Sequence, residues 1–157
     1  MAGRSSLGNT SIRAAVLVVE ELSARSHRGT EMHENEIGTA IVDSAVRLHK
    51  DLGPGLLETV YEVTLAEKLR KRGLPVERQA AVAIEYEGQL FDEGFRADLI
   101  VAGKVIVELK SVETIHPAHK KQVLTYLHLT GMKLGYVLNF GEACMKDGIS
   151  RIICGTL

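Results

Sequence analysis

The chain has 157 residues, 45% of them hydrophobic and 25% charged, with a formal net charge of −1 and a sequence pI near 6.6. That length and apolar content suit one domain with a single core. The near-zero charge excludes the global basic field with which many sequence-independent nucleic-acid binders hold phosphate, so any such attraction must be local.

Residues 1–31 are rich in Ser, Arg and Gly around one apolar patch, Ile12 to Leu22, and read as a loosely attached arm outside the domain at 32–157. Ala14 to Val19 is too short for a signal-peptide core, and Glu20-Glu21 follow it directly. No apolar run approaches the ~18 residues of a membrane span. From Asn35, Ile37, Ala40, Ile41, Ala45 and Leu48 recur with helical period until Gly53-Pro54-Gly55 breaks the pattern. A second helix is expected over Leu56 to Arg72, with Val60, Tyr61, Leu65 and Leu69 as its apolar stripe and Gly73 as its stop. The basic run Lys68, Arg70, Lys71 and Arg72, like the pair Lys120 and Lys121, reads first as a solvated helix face.

A strand follows around Val76 to Tyr86, then a turn at Glu87-Gly88 and a hairpin between Phe95 and Ser111. Pro117 opens a third helix that Gly131 stops, and Leu134 to Phe140 and Ile149 to Cys154 supply two more strands. Cys144 and Cys154 are too few for a zinc site and read as small buried hydrophobes in a reducing cytoplasm. The order α, α, β, β, β, α, β, β fits an α/β fold with a mixed central sheet flanked by helices.

The hairpin carries the chemistry. In Arg96-Ala97-Asp98-Leu99-Ile100-Val101 and Val105-Ile106-Val107-Glu108-Leu109-Lys110, period-2 alternation puts Ala97, Leu99, Val101, Val105, Val107 and Leu109 on one face. Arg96, Asp98, Ile100, Ile106, Glu108 and Lys110 fall on the other. If Ala102-Gly103-Lys104 closes the turn, Val101 pairs with Val105 and Asp98 stands opposite Glu108. Facing carboxylates repel unless a cation joins them, and Mg²⁺ takes one or two carboxylates while keeping several waters, at which Lys110 would point. The alternative is an exposed ladder in which Arg96 pairs with Glu108 and Asp98 with Lys110. On the third helix His119, Gln122 and Tyr126 form a polar seam beside the apolar Val123, Leu124 and Leu127.

Asp98 followed by Glu108-Leu109-Lys110 resembles the D…(D/E)xK signature of the PD-(D/E)XK nuclease superfamily. Gly55-Leu56-Leu57-Glu58-Thr59-Val60-Tyr61 resembles the G-x-x-E-x-x-Y motif of its GxxExxY family, and the likeness runs from about Asn35 to Ile153. Ala97 stands where the superfamily's name has Pro. The resemblance implies a restriction-endonuclease-like core and Mg²⁺-dependent phosphodiester hydrolysis of nucleic acid, with Mn²⁺ as a substitute, and DNA is the expected substrate. It implies that Asp98, Glu108 and the Leu109 carbonyl bind metal, that Lys110 orients or deprotonates water, and that Glu58 supports the metal shell. Tyr61, Gln122 and Tyr126 would be supporting groups. A non-catalytic nucleic-acid-binding or protein-interaction module on the same fold is the competing reading, favoured by the low net charge, and self-association into a homo-oligomer stays open.

Overall fold

The computed structural model describes residues 31–157. The arm expected over 1–31, with its patch Ile12 to Leu22, lies outside them except for Glu31. Helix α1 (Glu34–Leu52) starts at His33, whose backbone N–H donates to Glu36 Oε2 at 2.9 Å, and stops at Gly53 with φ 72°. Helix α2 (Glu58–Lys71) is followed by β1 (Val76–Tyr86), β2 (Gln89–Val101), β3 (Val105–Lys110), α3 (Pro117–Thr130), β4 (Leu134–Asn139), a short 3₁₀ turn (Met145–Gly148) and β5 (Ile149–Ile153). The eight expected elements are present in the expected order. Strand β2 begins at Gln89, earlier than the hairpin reading placed it.

The five strands lie in sequential order, and every pairing is antiparallel except β3–β4. Parallel neighbours need a crossover, and α3 supplies it. Each face of the sheet therefore has its own core. Helices α1 and α2 bury Ile37, Ile41, Leu65 and Leu69 against Leu99, Val107, Leu109 and Leu138 on one face, while α3 buries Val123, Tyr126 and Leu127 against Ala97, Ile100, Ile106 and Val137 on the other. Strands β3 and β4, covered on both sides, are buried almost throughout, as expected of parallel neighbours. Gly135 lets α3 come close: a Cβ there would stand 2.6 Å from Val123 Cγ1.

Three expectations need correction. Val60 is 40% exposed and does not belong to the apolar stripe of α2, and Cys144 is exposed rather than buried. Ala97 packs with Ile100 and Ile106 under α3, not with Leu99 and Val107, so the alternation of β2 changes face between Ala97 and Leu99. Asp98 sits at that break. Among the described residues no helix is long and apolar enough to cross a membrane.

The basic run ending α2 is tied down. Arg70 donates to the Val76 carbonyl at 2.8 Å, and Arg72 reaches Asp43 at 2.7 Å and Ser44 Oγ at 3.0 Å on α1. At the chain's other margin Lys104 Nζ donates to the Met32 carbonyl at 3.0 Å, Met32 packs against the larger core, and the exposed Glu31 pairs with Lys104 at 3.6 Å. An ion pair of that kind contributes little. A chain starting at Met32 is therefore expected to stay soluble and to melt within a few degrees of the full chain. A much lower melting temperature would show that the earlier residues complete the core.

Candidate active site

The turn Gly53-Pro54-Gly55 swings the chain from α1 into α2, with φ 94° at Gly55, a conformation that suits glycine. The Tyr61 hydroxyl latches this turn by donating to the Gly53 carbonyl at 2.5 Å and accepting from the Leu56 N–H at 3.2 Å, while its ring stacks on Phe140 with centroids 4.2 Å apart. Tyr61 is thus a fully buried structural residue, and its contacts go to the turn and to Phe140. Glu58, one turn earlier at the helix start, is exposed, and its Oε1 accepts from the Ser111 N–H at 3.2 Å. Ser111 Oγ donates in turn to the Leu56 carbonyl at 2.6 Å. The entry to α2 is thereby stitched to the residue that follows Lys110.

The hairpin closes in the expected register, Val101 opposite Val105, Ile100 opposite Ile106 and Leu99 opposite Val107. The ladder stops there. Beyond it the Leu109 N–H donates to Asp98 Oδ2 at 2.8 Å, so a side chain takes the place of a backbone acceptor. The β1–β2 ladder also breaks at Asp98: Arg78 pairs with Leu99 and Ala80 with Ala97, but Gln79, at φ 49°, makes no rung. Two interrupted ladders free the Asp98 carboxyl group to lie among β1, β2 and β3.

Glu108 lies on the α3 side of β3, 5% exposed, with its Oε1 3.5 Å from Lys110 Nζ. Its Oε2 is the one buried side-chain oxygen or nitrogen without a hydrogen-bond partner among the described residues. Burial, and then the neighbouring Asp98 charge, push its carboxyl group up to about 7, against the opposing pull of Lys110. Burial likewise raises Asp98, although the Leu109 N–H, Lys110 and Gln79 all favour its charged form. The alternative of a paired, exposed ladder is not what the structure shows. Arg96 turns instead to Glu93 at 2.9 Å and to the Gln79 carbonyl at 3.1 Å.

Helix α3 covers this group with its polar seam. Gln122 Nε2 donates to the Tyr126 hydroxyl, and the Tyr126 ring stacks on Phe95 at 3.8 Å. The Tyr126 hydroxyl is raised by burial, then by Glu108 and Asp98, against the pull of Gln122 and Lys110, so it lies within the field of the acids. His119, a turn earlier, accepts the His116 N–H on Nδ1 at 3.3 Å; desolvation first, then Lys110 and His116, lower its pKa against the pull of Glu58. Asn139 anchors the segment leaving β3: its Nδ2 donates to the Val112 carbonyl at 2.9 Å, and its Oδ1 accepts the N–H groups of Val112 and Gly141. His49 Nε2 lies 2.8 Å from the Glu142 carbonyl.

Asp98, Glu108 and Lys110 thus converge, Gln122 and Tyr126 lie over them, and Glu58 stands at the rim. Two residues escaped sequence reasoning. Glu62, buried at 5% exposure, accepts from Arg78 Nε at 2.9 Å and from Gln79 Nε2 at 2.7 Å, and the same Gln79 amide reaches Asp98 Oδ1 at 3.3 Å. A carboxylate beside Tyr61 and one turn from Leu65 and Ala66 was the available signal for Glu62. Gln79 carried none.

Two carboxylates and no cationic partner for Glu108 Oε2 fit a hard divalent ion that keeps several waters. Among the described residues no group of three or more His, Cys, Asp or Glu side chains is placed to hold a metal ion, so backbone oxygen and water would complete the shell. A family model described as PD-(D/E)XK nuclease superfamily matches residues 35–152, a span that includes every residue of this site. No curated protein matches the chain, and no solved structure does.

Proposed function

Because the chain belongs to the PD-(D/E)XK nuclease superfamily, we propose that it is a Mg²⁺-dependent nuclease of the GxxExxY branch that hydrolyses phosphodiester bonds in DNA. The observation that carries this reading is the buried, partnerless Glu108 Oε2 beside Asp98, with Lys110 Nζ 3.5 Å from the other Glu108 oxygen. A fold with no use for the pair would gain stability by replacing one acid.

Asp98, Glu108 and the Leu109 carbonyl would hold the ion. When bound, a divalent cation supplies Lewis-acid neutralisation of the phosphate oxygens and lowers the pKa of water. Lys110 hydrogen-bonds the attacking water, orienting it for in-line approach to phosphorus, and carries positive charge toward the phosphate. Glu58, exposed at the mouth, accepts from incoming water through the oxygen not engaged by Ser111. Gln122 and Tyr126 present donors to a phosphate oxygen from the α3 side. Free Cys144 and Cys154 accord with a cytoplasmic location.

The test is an end-labelled substrate series of single-stranded DNA, duplex DNA and RNA with Mg²⁺, Mn²⁺ or EDTA. The expected result is metal-dependent cleavage of DNA leaving 5′-phosphate and 3′-hydroxyl ends. Retention of every substrate uncut, by a protein that still binds the ion, would favour the non-catalytic module.

A further inference from the structure

We propose that Gln79 is a positioning residue for Asp98, held in place by the buried Glu62 so that the Asp98 carboxylate is preset to receive a divalent ion. The inference rests on the metal-site reading above and extends it to two residues outside the D…ExK signature.

Three observations meet at Gln79. Its backbone takes a left-handed φ of 49° inside a strand, a conformation uncommon for glutamine and costly unless the surroundings hold it. That conformation removes the rung that would have bound Asp98 into the β1–β2 ladder, since pairing resumes on either side in unchanged register. And the side-chain amide bridges two carboxylates, Glu62 Oε2 at 2.7 Å and Asp98 Oδ1 at 3.3 Å.

Glu62 is not free to move. Its other oxygen is held by Arg78 Nε at 2.9 Å, and α2 fixes its backbone. A glutamine amide can donate two hydrogens, and here it has two acceptors, one locked and one to be aimed. With Oδ2 taking the Leu109 N–H and Oδ1 taking Gln79, the Asp98 carboxyl plane is set from two sides. Holding a ligand in its binding geometry before the ion arrives raises affinity, as outer hydrogen-bond partners of metal ligands do generally.

Gln79→Gly separates this role from a merely structural one, because glycine relieves the backbone at positive φ while deleting the amide. Calorimetric titration of the wild type, Asp98→Asn and Gln79→Gly with Mn²⁺, beside thermal melts without metal, gives both readouts. Gln79→Gly is expected to stay folded, with relief of the backbone offsetting the lost bond to Glu62, yet bind Mn²⁺ about 10-fold more weakly. Glu62→Ala should weaken Mn²⁺ binding similarly, since it frees the amide. Undiminished Mn²⁺ binding by Gln79→Gly, with Asp98→Asn impaired, overturns this inference alone. No Mn²⁺ uptake by the wild type overturns the metal-site reading and this inference with it.

Discussion

Asp98→Asn and Lys110→Ala are expected to remain folded and to lose DNA cleavage by a factor on the order of 10²–10³, the range found when one preorganised group is removed from a polar reaction centre. Asparagine at position 98 keeps a carbonyl oxygen for the Leu109 N–H while surrendering the charge, so the hairpin should persist. Lys110 is mostly covered, and among the described residues its amine pairs with Glu108 Oε1 and its side chain belongs to neither apolar core, so truncation removes no packing from them. The measurement is the initial rate of cleavage at saturating Mn²⁺, paired with a melt of each variant. Wild-type cutting by Asp98→Asn would locate the activity elsewhere or in a contaminant.

Glu108→Gln should have the largest effect on stability, and its size depends on pH. The folded chain holds the Glu108 proton up to about 7 against the ordinary 4.5. Across that window the folded state binds the proton that the unfolded chain has released. The stability linked to it is fully present below the ordinary value and is lost as pH rises through the folded one. Asp98, also raised, adds to the same trend. Glutamine resembles the protonated acid and escapes the loss. In EDTA the variant is expected to match the wild type at pH 5 and exceed it at pH 8.5 by roughly 2–3 kcal/mol. A variant that melts below the wild type at pH 8.5 would mean that the Glu108 carboxylate is well paired.

Much of this was legible in the sequence because it rests on local rules. Pro117 and Gly131 bound α3 as proline and glycine usually do, and the three-residue turn after Val101 fixed which residues face each other across the hairpin. The convergence of Asp98, Glu108 and Lys110 followed from that register. What failed was the assumption of unbroken alternation. Ala97 and Leu99 pack into different cores because the strand changes face at Asp98, where Gln79 departs from β geometry and its amide reaches Glu62 on another element. No window of sequence contains that contact. Tyr61 illustrates a different limit: the motif it shares with Glu58 implies a supporting role, whereas its hydroxyl spans back to Gly53.

The placement of both acids on one hairpin also bears on the order of assembly. Strands β2 and β3 close a loop of three residues, whereas β3 and β4 meet only after α3 has folded back across the sheet. Short closures form early and long crossovers late. On that order Asp98 and Glu108 would come together while water still surrounds them, and Glu108 would lose its hydration when α3 docks. If α3 docks after the rate-limiting barrier to folding, the electrostatic penalty falls on the unfolding limb. Stopped-flow kinetics in EDTA should accordingly show an unfolding rate that climbs between pH 5 and pH 8.5 and a refolding rate that barely changes.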